Sequence, residues 1–170
     1  MSAAGTAVAT TYESAQVGKP APDFEIPSTK NIEKLNEPVK LSDYRGKKNV
    51  LIAFYPLSFT PVCSAQIPSY EADLNRFKEN DTEVVAISVD SVPTHSAWAK
   101  SLGGISYDIL ADFEPKGEVA KAYGAYIEDK GFSQRALFVI DKEGKIAYKD
   151  IHELGKQPDN EVIFDVLRNL

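Results

Sequence analysis

The chain reads as an α/β protein, a central mixed β-sheet flanked by helices, and three features of its 170 residues predict this. Two runs, Asn49–Tyr55 and Glu83–Val89, are apolar almost throughout instead of alternating, the pattern of strands covered on both faces. Helical patterns separate such runs, so neighbouring strands are expected to lie parallel, joined by helical crossovers. Near the end, Ala136–Ile140 and Lys145–Tyr148 flank Asp141-Lys142-Glu143-Gly144, a hairpin signal with glycine at the turn, which adds an antiparallel edge.

The elements follow in order. Residues 1–16 are expected to be a flexible N-terminal tail, since Met1–Thr10 is small and uncharged and lacks the basic start and leucine-rich stretch of a secretory signal. Residues 17–170 then form a single domain, long enough to bury roughly two-thirds of its unfolded surface. Asp23–Ile26 and Val39–Leu41 are short extended segments. Ser64–Glu79 has a helical pattern, with Ile67, Tyr70, Leu74 and Phe77 spaced by three or four. Pro68 falls inside it, and its missing N–H predicts a kink or the end of a first segment. Pro93–Leu102 reads as a helix closed by Gly103-Gly104, and Tyr107–Ala111 as a strand. Asp112 looks like the N-cap of a helix over Glu114–Tyr123 that Gly124 stops. Asn160–Leu170 is a closing helix.

Composition narrows the function. A net charge of −6 disfavours nucleic acid and anionic membrane surfaces, both of which reward basic patches. No apolar stretch approaches the roughly 20 residues that span a bilayer, and the default address is cytoplasmic. One cysteine cannot form an internal disulfide, and one cysteine with two histidines makes a poor zinc site.

That cysteine is the most informative residue. Cys63 ends Pro56-Leu57-Ser58-Phe59-Thr60-Pro61-Val62-Cys63, directly after the apolar run. A lone cysteine is most often a small buried hydrophobe. Here, however, a strand, a proline-punctuated loop and a helix start place the thiol where backbone N–H groups are unpaired and the helix dipole is positive, which favours thiolate. An ordinary thiol is only a few per cent ionised at neutral pH. A helix N-terminus contributes about 0.3–2 kcal/mol toward the anion, so a nearby cation is needed as well. Arginine suits that part better than lysine, because it cannot lose its proton and presents several fixed donors.

Pro56-x-x-x-Thr60-x-x-Cys63, following a strand that ends Phe54-Tyr55, resembles the active-site signature of the peroxiredoxins, the alkyl hydroperoxide reductase and thiol-specific antioxidant group. Val17-Gly18-Lys19-Pro20-Ala21-Pro22-Asp23-Phe24 is similar to the family's opening segment. Ser88-Val89-Asp90-Ser91 with His95 and Trp98 resembles its next strand and helix. Gly131-Phe132-Ser133-Gln134-Arg135-Ala136-Leu137-Phe138-Val139-Ile140-Asp141 resembles the strand that carries its arginine. The resemblance implies a thioredoxin-like fold and reduction of hydroperoxides by a peroxidatic cysteine, with no bound cofactor. It makes Cys63 the nucleophile, Thr60 the hydroxyl that binds the peroxide oxygens, Pro56 a shield against water and Arg135 the cation reaching in from a distant strand. It also implies a homodimer or larger homo-oligomer.

Many relatives carry a second, resolving cysteine. These 170 residues have none, which resembles the one-cysteine type and implies recycling by an external thiol, either a small thiol or a thioredoxin- or glutaredoxin-like protein. Gln66 stands where relatives often have glutamate, and Gly103-Gly104-Ile105-Ser106 only partly resembles the glycine loop of members prone to over-oxidation. Rival chemistries lack their parts. A cysteine phosphatase wants arginine at Ser69, and a Cys-x-x-Cys redox enzyme wants cysteine at Gln66. His95 lies in an amphipathic pattern that suggests the surface, and His152 in a polar loop, so neither is expected as a hydrolase base. The alternative is a non-enzymatic thioredoxin-fold redox sensor or chaperone. Trp98 is expected to approach the pocket.

Overall fold

The computed structural model describes residues 15–170. The expected tail, apart from Ala15 and Gln16, lies outside the described residues.

A five-stranded sheet forms the centre, its strands in the spatial order 108–111, 82–88, 49–54, 135–140 and 146–152. Its first three members are β3 (Asn49–Phe54), β4 (Thr82–Ser88) and β5 (Asp108–Ala111), which run parallel. β8 (Arg135–Ile140) joins β3 antiparallel, and β9 (Ile146–His152) closes the edge beyond it. Both sides of β3 are covered, as its unbroken apolar run requires, and all six residues are buried. Two short ribbons accompany the sheet: β1 (Glu25–Pro27) with β2 (Pro38–Lys40), and β6 (Tyr126–Ile127) with β7 (Phe132–Ser133). The second ribbon, two residues a side, is too short to leave a periodic signal.

The helices are α1 (Pro61–Ala72), α2 (Leu74–Glu79), α3 (Val92–Ser101), α4 (Glu118–Ala122) and α5 (Asn160–Arg168), with a 3-10 turn at Leu41–Tyr44. One core cluster, with Phe54, Tyr123 and Phe138, fills one side of the sheet. The other, with Leu51, Tyr55, Ile67, Phe77, Leu137, Ile163 and Phe164, fills the side beneath α1 and α5.

Two expectations need correction. Of the two effects expected of Pro68, a kink or the end of a first segment, the second does not occur, because α1 continues through it to Ala72 and the break comes at Asp73, whose φ of −98° and ψ of 11° leave the helical region. The helix expected over Glu114–Tyr123 is confined to Glu118–Ala122. Gly117 adopts φ 73°, a left-handed conformation incompatible with a helix interior, so the helix starts after it. Asp112 still caps, but at a distance: its carboxylate accepts from the amides of Val119 and Ala120 at 3.0 and 2.9 Å.

Candidate active site

Cys63 is the third residue of α1. Strand β3 runs into the buried Pro56, and the segment to Thr60 leads to a helix opened by Pro61, whose fixed φ suits a first helical position. Pro61 has no N–H, and the first helical bond runs from the Ser64 amide to the Thr60 carbonyl at 2.9 Å. The amides of Val62 and Cys63 thus lie at the positive end of the helix.

The side chain of Cys63 is 0 % exposed and packs with Leu51, Ala53, Tyr55 and Ile67. Among the described residues one polar group reaches the sulfur: Arg135 Nη1, at 3.3 Å. Arg135 opens β8, next to β3 in the sheet, and is itself 2 % exposed. Its other donors are fixed as well. Nη1 also donates to Gln66 Oε1 at 2.5 Å, and Nε and Nη2 both donate to the Leu154 carbonyl, at 3.1 and 2.9 Å. Gln66 lies one turn beyond Cys63 on the same helix face. Its amide nitrogen donates to the Tyr70 hydroxyl at 2.9 Å, which turns the amide oxygen toward Arg135.

The structure therefore brings Cys63 and Arg135 into contact, with Pro56 and Thr60 at the two ends of the loop before the helix. Thr60 makes no side-chain cap; its hydroxyl donates to the Leu57 carbonyl at 2.7 Å. The oxygen's lone pairs stay available as acceptors. Nothing in the sequence pointed to Leu154, which acts through a backbone carbonyl and carries no side-chain signature. The sequence marked Gln66 only as a departure, and its bridging position follows from the i, i+3 spacing to Cys63.

The loop is anchored from behind by a buried polar cluster. The Ser58 amide donates to Asp90 Oδ2 at 2.8 Å, and the Ser88 hydroxyl donates to the same oxygen at 2.5 Å. The Ser58 and Tyr55 hydroxyls meet at 3.1 Å, and both approach His95 Nδ1, at 3.3 and 3.1 Å. His95 Nε2 lies 2.9 Å from the Leu110 carbonyl. That carbonyl can only accept, so Nε2 carries the proton and Nδ1 accepts. The expected surface position of His95 is wrong; it is 0 % exposed. Val92, His95 and Trp98 share one face of α3, and a ring with both nitrogens satisfied can face inward along it. Burial holds its pKa down at about 4, against an ordinary 6.5.

Trp98 does approach the site. Its indole N–H donates to Ser64 Oγ at 3.3 Å, and its ring centroid lies 5.2 Å from that of Tyr55. Phe59, in the loop, is 58 % exposed at φ 65° and lies 6.3 Å from Trp98. His152 is not in a loop but ends β9, with Nδ1 2.9 Å from Asp150 Oδ2. Among the described residues, no group of three or more His, Cys, Asp or Glu side chains is placed to hold a metal ion. No described helix is long and apolar enough to cross a membrane.

Comparison with known proteins agrees with this geometry. Residues 17–149 match the AhpC/TSA family. The chloroplastic 2-Cys peroxiredoxin BAS1 of Spinacia oleracea is 41% identical over 145 residues, which cover 82% of this chain and 53% of that one. The chain thus spans about half the length of that relative and of its Arabidopsis thaliana counterpart. Alkyl hydroperoxide reductase E of Mycobacterium tuberculosis is 36% identical over 154 residues, 91% of this chain and 97% of that one. The reduced 2-Cys peroxiredoxin of Plasmodium vivax superposes with a TM-score of 0.81 at 32% identity, covering 89% of this chain and 80% of that one. The expected thioredoxin-like fold holds, and the chain belongs to the AhpC/TSA family of peroxiredoxins.

Proposed function

We propose that this protein is a thiol-dependent peroxidase that reduces hydrogen peroxide and organic hydroperoxides through Cys63 and is recycled by an external thiol. The observation that carries this reading is the 3.3 Å contact between the Cys63 sulfur and Arg135 in a site closed to water at a helix start. In a dry site, a fixed guanidinium acts on charge far more strongly than in water.

The thiolate attacks one peroxide oxygen. The S–O bond forms, the O–O bond breaks, and the second oxygen leaves as hydroxide or alkoxide and takes up a proton. Negative charge moves from sulfur toward that oxygen, within reach of the Arg135 donors. The Thr60 oxygen accepts a hydrogen bond from the peroxide, and Pro56 keeps water off the sulfur. The product is a sulfenic acid. Because Cys63 has no exposed surface, entry of the peroxide requires the residues that cover it to shift. With no second cysteine in these 170 residues, the sulfenic acid is reduced by a small thiol or a thioredoxin- or glutaredoxin-like protein. Family membership supports assembly as a homodimer or larger homo-oligomer.

Peroxide consumption in the presence of excess thiol tests the reading. The unsubstituted protein is expected to cycle, and Cys63→Ser to consume nothing beyond the background. Undiminished turnover by Cys63→Ser would refute it. A single stoichiometric reaction with no cycling would make Cys63 a sensor rather than a catalyst.

A further inference from the structure

The oxidative half of the proposed cycle leaves a second step, the attack of an external thiol on the Cys63 sulfenic acid, for which the residues around Arg135 supply no base. Arg135 cannot lose its proton, and Gln66 and the Leu154 carbonyl are neutral. The sheet register brings a candidate close. Arg135 and His152 are directly opposed on β8 and β9, so their side chains project from the same face, the one that carries Cys63. Asp150, two residues before His152, lies on that face too, opposite Leu137.

His152 Nδ1 and Asp150 Oδ2 are 2.9 Å apart. A carboxylate at Nδ1 fixes the proton there and leaves Nε2 as the basic nitrogen, and Nε2 makes no hydrogen bond among the described residues. Both side chains line a cleft of about 230 Å³ between β9 and the start of α5, with Tyr148, Pro158, Asp159 and Val162. Two residues beyond His152 is Leu154, whose carbonyl anchors the guanidinium in contact with the sulfur. The cleft therefore adjoins the side of the site that holds Arg135.

We propose that the Asp150–His152 pair is the acid–base unit of the reductive step: His152 takes the proton from the incoming thiol and returns it to the departing hydroxide. This rests on the peroxidase reading. The thiol sulfur attacks the sulfenic sulfur, an S–S bond forms, the S–O bond breaks, and hydroxide leaves as water with the proton carried by His152. Cys63 is reduced, the thiol sulfur is oxidised, and exchange with a second thiol frees Cys63 and releases a symmetrical disulfide.

The test is single-turnover reduction of peroxide-treated protein at pH 7 with two probes, free cysteine and 2-nitro-5-thiobenzoate. The alkyl thiol of free cysteine, with a pKa of about 8.5, is about 3 per cent ionised there, so a base can accelerate its reaction by at most about 30-fold. The aryl thiol is already a thiolate and gains only from protonation of the departing hydroxide. His152→Gln should therefore slow the alkyl thiol by about 10- to 30-fold more than the aryl thiolate, and Asp150→Asn should slow the alkyl thiol several-fold. Undiminished rates in both variants, or equal slowing with both thiols, would overturn the assignment while leaving the peroxidase reading intact. Failure of the unsubstituted protein to form a sulfenic acid would overturn the peroxidase reading and this one with it.

Discussion

Replacing Arg135 by methionine removes the one polar contact that the Cys63 sulfur makes among the described residues and retains much of the buried bulk. A hydrogen bond to a charged group is worth about 1.5–3 kcal/mol. If that contact is made to the thiolate and maintained as charge passes to the leaving oxygen, its loss slows oxidation by about 10- to 150-fold. Stability should fall too, because the Leu154 carbonyl and Gln66 Oε1 lose their donors, but by about 1–3 kcal/mol, less than a domain of this size can tolerate. Arg135→Lys separates charge from geometry, since one ammonium cannot span the sulfur, Gln66 and Leu154 together, so it should remain several-fold slow. The assay is stopped-flow oxidation followed through Trp98, whose indole contacts Ser64 next to Cys63. Circular dichroism would establish that the variants fold. A folded Arg135→Met protein oxidised within twofold of the normal rate would refute the electrostatic role.

His95 should make stability depend on pH. Its folded pKa of about 4 lies below the ordinary 6.5, so the native state resists protonation. Stability should be complete above about pH 6.5 and fall by up to about 3 kcal/mol as pH drops toward 4. Urea midpoints should therefore decline over that range, and decline less in His95→Gln, which keeps a donor for Leu110; parallel curves would contradict the assignment. Gln66→Leu deprives Arg135 Nη1 of its 2.5 Å acceptor and Tyr70 of its donor, so the midpoint should drop by the equivalent of about 1–3 kcal/mol, an effect that equal midpoints would disprove. Gly117→Ala would drive a Cβ into the Tyr126 ring at Cε1, at φ 73°. A loss of at least about 2 kcal/mol in denaturant titration is expected, and a neutral result would count against the left-handed turn.

The sheet was legible because its strands are buried on both faces: Asn49–Tyr55 and Glu83–Val89 carry their assignment in composition alone, and each matches a strand to within one residue at either end. Helix boundaries were less legible where tertiary contacts set them. Asp112 was recognised as a cap, but its partners are seven and eight residues ahead, across a turn that only the left-handed Gly117 permits. In the site, Cys63 and Arg135 were found through their motif, 72 residues apart, whereas the Leu154 carbonyl was invisible because any residue supplies a carbonyl. His95 was misplaced for a different reason. Its helix face was readable from Val92 and Trp98, but polarity suggested solvent, and nothing local announced that Tyr55, Ser58 and Leu110 would satisfy both ring nitrogens.

The charge pattern of the site gives these contacts their direction. Arg135 is a buried cation, yet among the described residues no carboxylate pairs with it, and its other acceptors are an amide oxygen and a peptide carbonyl. Burying an uncompensated guanidinium costs several kcal/mol, and two neutral acceptors offset only part of that. The Cys63 sulfur is the remaining group in contact with it, and a thiolate there would be its only anionic partner among the described residues. A carboxylate at Gln66 would compete with the sulfur for the same Nη1, whereas the neutral amide holds the guanidinium in place without cancelling its charge. Position and charge are thus supplied by different residues: Gln66 and Leu154 fix where Arg135 points, and a thiolate at Cys63 would answer its charge.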